Sequence, residues 1–512
     1  MSTLLQAVRG IHPQHSQRGF HQFALRNPAL GVCPRTPPER HSDESRDDNE
    51  RRCANLGQPS QGVSPCRGER PGTVPSRSPG SDMATPQYIY GIDDRPPLRQ
   101  ALLYGLQWAV IIFPALIVVS HLSGRALQLG AAEEIRYFQL VLLTSGLMTT
   151  VQCLAGHRYP LLDGPSTALL LTFVTLAPHG IQSIQGGTIA GGGLLVVLVL
   201  WGKLHKVIEV ATPNVVGVIL MLIAFTLLPY LIRSMTGVSI EQPAGEVVIF
   251  MISLFLVLLS AALSHWLSGF VRTLSLLLGI VLGTALFGIM GRIEWPKLAA
   301  AGWFSPPALW TPLNPRLDWT AIAAFAIAYA AVIVNSLGSL HGIAKITDHN
   351  RLSASISRGV LLNGIGGIGC GLLGMVGLVS YSMSPGVILA NRVASRFAVA
   401  WCGAILVLAA FVPKLAAALA LVPPPVVGAA LCSAMGAQVG AGLAVVSGGM
   451  PTIRDYFVVG LPLLIGTLVS FLPEPFMAGV SPSLRIFLGN GLIVGIFLVL
   501  VLEHLVMKKR EG

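Results

Sequence analysis

"YSMSPGVILANR", Tyr381–Arg392, lies inside a long apolar region and does not read as part of a continuous helix. Tyr381, Ser382 and Ser384 are polar, Pro385-Gly386 interrupts the backbone, and Asn391 and Arg392 close the stretch. At membrane depth, broken backbone is tolerated only where protein or a water-filled cavity satisfies its polar groups. The stretch therefore predicts a built interior rather than a lipid-facing span.

The surroundings agree. The chain is 53% hydrophobic and only 11% charged, with a mean hydropathy of +0.67. Soluble domains carry about 25% charged residues, so this is a membrane protein. The net charge of +11 does not point to nucleic acid, because the bases fall in short loops between apolar runs and no aromatic stacking pattern accompanies them. The seven cysteines form no CxxC or Cys/His cluster and are read as reduced. No metal or cofactor is expected.

Residues 1–82 are rich in Arg, Pro, Ser and Gly, with almost no apolar periodicity, and are expected to be a disordered extension. Met83 opens a sensible cytoplasmic lead into the first helix and is the expected functional start. Residues 83–512 form the membrane domain. At about 20 residues per crossing they supply about 14 spans. The third (160–178) and tenth (379–392) are too short and too polar to be continuous helices. Lys and Arg concentrate in alternate loops, which places both termini in the cytoplasm.

"TPNVVGVILM" (Thr212–Met221) and "PPPVVGAALC" (Pro423–Cys432) share Pro-x-Val-Val-Gly 211 residues apart. The polar breaks "DGPS" (Asp163–Ser166) and "SPG" (Ser384–Gly386) recur at a similar offset. Together they predict two copies of a seven-span unit, the second inverted. Inverted repeats with a broken helix in each half mark secondary transporters, with the substrate where the breaks meet. Each break also leaves a helix N-terminus whose free N–H groups suit a polar or anionic ligand.

The same residues resemble the nucleobase–ascorbate transporter family, the xanthine/uracil permeases. "RPPLRQALLYGLQW" resembles the family's approach to span one, "RYPLLDGPSTALL" its span three, "GWFSPPALWTP" the loop before span eight, and "SPGVILANR" stands where the signature Asn-x-Gly-x-x-x-x-Thr-Arg is expected. The resemblance implies an all-α fold of seven plus seven inverted spans. The core would comprise spans 1–4 and 8–11 (101–202 and 319–413), and the gate spans 5–7 and 12–14 (210–290 and 420–506). Short strands in spans three and ten would cross near the substrate. It further implies nucleobase uptake, a coupling proton or sodium, a homodimer through the gate, and a bacterial inner membrane. The chain departs from the family where Asn335 replaces a span-eight Glu, Met383-Ser384 replace the usual residues at the signature, and Thr167 replaces an aromatic.

The expected substrate-binding residues are Asp163, Gly164, Ser166, Thr167, Asn335, Ser339, Tyr381, Met383, Ser384 and Gly386. Asn335 offers both donor and acceptor to an amide edge. Ser166 and Thr167 open one half-helix, while Tyr381, Met383 and Ser384 line the other. Asp163 is either an intramembrane functional acid or a helix start. Gly386 is expected to act through torsional freedom and close approach, and Gly374 only through packing. Loss of the usual glutamates leaves a small-anion carrier as the alternative substrate class. No nucleophile–base constellation supports an enzyme.

Overall fold

The computed structural model describes residues 88–238, 244–293, 295–447, 452–481 and 488–508. The extension 1–82 and the start at Met83 lie outside them. The first half runs α1 (Leu98–Ala126), α2 (Ala131–Leu154), β1 (Asp163–Pro165), α3 (Thr167–Leu176), α4 (Ile181–Leu200), α5 (Leu204–Val210), α6 (Pro213–Thr226), α7 (Leu228–Met235), α8 (Val247–Trp266), α9 (Gly269–Thr273), α10 (Ser275–Ile289) and α11 (Trp295–Ala300). The second runs α12 (Trp319–Ile346), α13 (Leu352–Leu372), β2 (Leu378–Ser380), α14 (Ser384–Asn391), α15 (Arg396–Ala409), α16 (Pro413–Ala420), α17 (Pro424–Val446), α18 (Ile453–Ser470), α19 (Glu474–Ala478) and a final helix Gly491–Val501.

Among the described residues, eight helices are long and apolar enough to cross a membrane, nine if the bent pair α15–α16 is one span. Regions three and ten are indeed broken: each is a three-residue strand followed by a short helix.

The packing carries the repeat. A seven-span shift maps α1 onto α12, α2 onto α13 and α4 onto α15. The structure packs α2 on α15 and α4 on α13, which exchange under that shift, as do the pairs α1–α15 and α12–α4. Among the remaining helices, α6 packs on its counterpart α17, and α8–α10 corresponds to α18 with the final helix. Glycines permit these close crossings. A Cβ on Gly146 would stand 2.6 Å from the carbonyl oxygen of Gly403, and one on Gly192 would stand 2.8 Å from that of Gly364. Small residues that let backbones approach are how helices associate without a hydrophobic driving force.

Candidate functional site

The two breaks meet. β1 pairs antiparallel with β2, with Asp163 opposite Ser380, Gly164 opposite Val379 and Pro165 opposite Leu378. All six residues are buried. The ladder satisfies backbone groups that no helix can, and it is extended at both ends. Ser166 N–H donates to the Gly377 carbonyl (2.9 Å), and Tyr381 N–H donates to that of Leu162 (2.8 Å).

Several expected residues reinforce this crossing from inside. Ser166 is the N-cap of α3, its hydroxyl accepting from Leu169 N–H at 3.4 Å. The Ser384 hydroxyl accepts from Leu162 N–H at 3.1 Å and so ties the start of α14 to the first break. Tyr381 lies over Gly164, where a Cβ would be 2.7 Å from its phenol oxygen, and donates to the Pro165 carbonyl at 3.0 Å. Ser339 donates to the carbonyls of Ser380 (2.8 Å) and Asn335 (2.9 Å), joining α12 to β2. These hydroxyls are engaged within the protein.

Asp163 is on the strand, three residues before the cap, so it does not start the helix. Its Oδ1 accepts from the Ser380 hydroxyl at 2.7 Å, and its Oδ2 lies 3.3 Å from His157 Nε2. Thr149 of α2 brackets its backbone, donating to its carbonyl (3.0 Å) and accepting from its N–H (3.1 Å). Sequence reasoning missed His157, Thr149 and Ser380. The available signal was a histidine six residues before an acid in "GHRYPLLDG", folded back by a turn in which Arg158 takes a left-handed φ of 57°. Beside it, Gln152 donates to Asn363, which donates to Ser336, a buried polar chain linking α2, α13 and α12.

The open face is elsewhere. Met383 is 40% exposed, and Gly386 has no atom within 4 Å of where a Cβ would stand. Asn335 and Thr167 are half-buried. Among the described residues, the Asn335 side-chain amide has no hydrogen-bond partner, and neither do the N–H groups of Thr167 and Ala168 at the start of α3. Pro385 at the start of α14 faces α12, its Cγ 3.5 Å from where a Cβ on Gly342 would stand. The unpartnered amide and helix start therefore lie on elements that pack together, α3 and α14 both against α12.

Two glycine expectations are corrected. Gly386 lies in the first turn of α14 and is not among the left-handed glycines, so open space rather than torsional freedom distinguishes it. Gly374 does use that freedom, at φ 67°, with Thr311 Cγ2 2.8 Å from a Cβ there, so it is a demanding position.

The Permease family model of xanthine/uracil permeases matches residues 99–475. Uric acid permease PucK of Bacillus subtilis is 23% identical over 421 residues, covering 81% of this chain and 97% of that protein. Uric acid permease PucJ of the same organism is 28% identical over 403 residues, covering 76% and 89%. Among solved structures, the murine Slc26a9 anion transporter in its inward-facing state aligns over 79% of this chain and 68% of its own. The TM-score is 0.54 and the identity 11%, a likeness of fold alone. The crossed strands, the exchanged helix pairs and the family match agree: this chain is a multi-pass membrane transporter belonging to the xanthine/uracil permease family.

Proposed function

We propose that the chain is a secondary active transporter that takes up a nucleobase, of the oxopurine or uracil type, by moving its core (101–202 and 319–413) against its gate (210–290 and 420–506). The observation that carries this is the unpartnered, half-buried amide of Asn335 on α12, the helix against which both half-helices, α3 and α14, pack. A nucleobase lactam presents adjacent N–H and C=O groups, and an amide answers both at once. Thr167 and its free N–H would meet a second carbonyl, and Met383 would give polarizable contact to the ring. The relatives' names, uric acid permeases among them, support the same class.

The coupling ion in this reading is a proton rather than sodium. The protein sits in the bacterial inner membrane with both termini cytoplasmic, pairs as a homodimer through its gate, and does not need residues 1–82. The long exposed apolar faces of α8 and α18 suit lipid and such a partner.

The test is uptake of radiolabelled uric acid, xanthine, uracil, sulfate and bicarbonate into proteoliposomes, with and without an inward proton gradient. The expected result is gradient-dependent accumulation of a base. Accumulation of an anion with no base carried would replace this reading by the anion one. Cysteine at Met383 or Gly386 is expected to react with a small polar thiol reagent and to be shielded by the carried base.

A further inference from the structure

We infer that Asp163 and His157 together form a proton-binding site at the strand crossing. The inference rests on the proton-coupled reading above and assigns the proton a place. Among the described residues, Asp163 is the one carboxylate with no exposed surface, and His157 beside it is equally enclosed. An ionisable group inside a membrane protein is costly and is retained for function by default.

The hydrogen bonds define the pair's state. His157 Nδ1 accepts from Tyr159 N–H at 3.0 Å, so in the neutral ring the hydrogen is on Nε2 and points at Asp163 Oδ2. The Ser380 hydroxyl covers Oδ1. The unprotonated pair thus carries one negative charge, held by neutral donors. The other groups that face it do not neutralise it. Cys153 of α2 and Tyr381 beyond β2 are its titratable neighbours. The Tyr381 hydroxyl donates away to Pro165, and the Tyr159 hydroxyl donates to the Asp348 carbonyl. α1, packed against β1, has no titratable residue between Tyr104 and His121. The guanidinium of Arg396 is held by the carbonyls of Cys153 and Leu154, the carboxylate of Asp93 and the Phe397 ring. On α13, which packs on His157 at Gly359, Arg358 donates to the Ala354 carbonyl.

One proton taken from solution cancels that charge, and either placement disturbs the crossing. On Oδ1 it turns the Ser380 hydroxyl from donor into acceptor. On Oδ2, as a carboxylic acid facing the other imidazole tautomer, it makes His157 Nδ1 a donor and Tyr159 N–H loses its acceptor. Ser380 is also the residue whose carbonyl holds Ser339, which in turn bonds the carbonyl of Asn335. A continuous chain of contacts therefore joins the proton to the turn that carries the substrate amide. Such networks respond as units.

The experiment has an arm that needs no substrate. Infrared difference spectra of the reconstituted full chain between acid and alkaline pH are expected to show a protonated-carboxyl C=O band that is absent in Asp163→Asn. In His157→Gln the same band is expected at a displaced pH midpoint. That second variant decides the matter should Asp163→Asn not fold. In the transport arm, folded Asp163→Asn is expected to keep counterflow exchange of the carried base while losing uphill accumulation along a proton gradient. A mere brace would lose both. No Asp163 band in the wild type, loss of both activities in a folded variant, or full gradient-driven accumulation in Asp163→Asn would each overturn the proposal. A titrating band in a protein that carries no base would instead retire the nucleobase reading and leave the proton site standing.

Discussion

The two breaks occupy equivalent places in the repeat and share one ladder, yet they are built differently. The first is closed. Asp163, Gly164, Pro165 and Ser166 are buried, the α3 start is capped by a side chain, and every side-chain oxygen has a protein partner. The second is open. Its helix α14 has no side-chain cap, Met383 and Gly386 are exposed, and it ends on Arg392 in a left-handed conformation, φ 55°. A repeat fixes where polar backbone emerges, and the side chains then divide the work. In the reading proposed above, the closed break serves as scaffold and the open one faces the ligand.

Bulk at the central glycine of each break separates the two most sharply. Gly164→Leu places its Cβ against the Tyr381 ring, so overpacking is expected to cost about 3 kcal/mol or more and to abolish recovery of monodisperse protein. Gly386→Leu enters open space, so the protein is expected to fold with an unchanged melting temperature while transport is lost. Size-exclusion chromatography and uptake on the same preparations check both. Equal effects on folding would dissolve the distinction.

A smaller effect is expected at Asn335. Asn335→Ala should weaken base binding by about 1–3 kcal/mol, the usual cost of leaving a polar partner unpaired, with no change in melting temperature because the amide has no internal partner. Calorimetric titration with the carried base measures it. Smaller again, Ser166→Ala should lower stability by about 1 kcal/mol through loss of the α3 cap, read in thermal unfolding, while Met383→Ala leaves stability unchanged and weakens binding.

Much of this architecture was legible in the sequence. Pro-x-Val-Val-Gly and the two polar breaks announced the repeat, and the packing of α6 on α17 puts the matching segments together. The likeness to a family supplied the strands, since three residues are too short for periodicity to reveal. What stayed hidden depended on contacts far apart in the chain. Asp163 read equally as an intramembrane functional acid or as a helix start, and only pairing with Ser380, 217 residues on, places it on a strand. The spacing of His157 from the acid gained meaning only once the turn at Arg158 folded it over Asp163. Ser384 read as ligand-facing, and no sign in the sequence showed that its hydroxyl also accepts from Leu162 N–H, 222 residues away.

The last and smallest effect concerns what holds the open break from outside. The segment before α1 runs beside the end of α14. Ile89 N–H donates to the Arg392 carbonyl at 2.8 Å, Ala394 N–H to that of Tyr90 at 2.9 Å, and Arg396 N–H to that of Ile92 at 3.0 Å. Asp93 fastens it through Arg351 (2.7 Å) and Arg396 (2.8 Å), and hydrogen bonding from Arg351, then from Arg396, outweighs burial and holds its carboxyl below the ordinary range. A carboxylate whose pKa is lowered by folding contributes fully above its unfolded value and loses that contribution as pH falls through the lowered one. The strap should therefore hold at neutral pH and loosen only in acid. Because Asp93 is about half exposed, the contribution is small and screened by salt. Hydrogen exchange at Ile89, Ala394 and Arg396, corrected for intrinsic rates, should accelerate modestly in Asp93→Asn at neutral pH and in the wild type at acid pH. In Asp93→Asn at neutral pH the amides of β1 should not respond, since their bonds to β2 involve no exposed ion pair. Equal acceleration at Gly164 would mean that the two breaks open together and that the closed one is not the independent scaffold its burial implies.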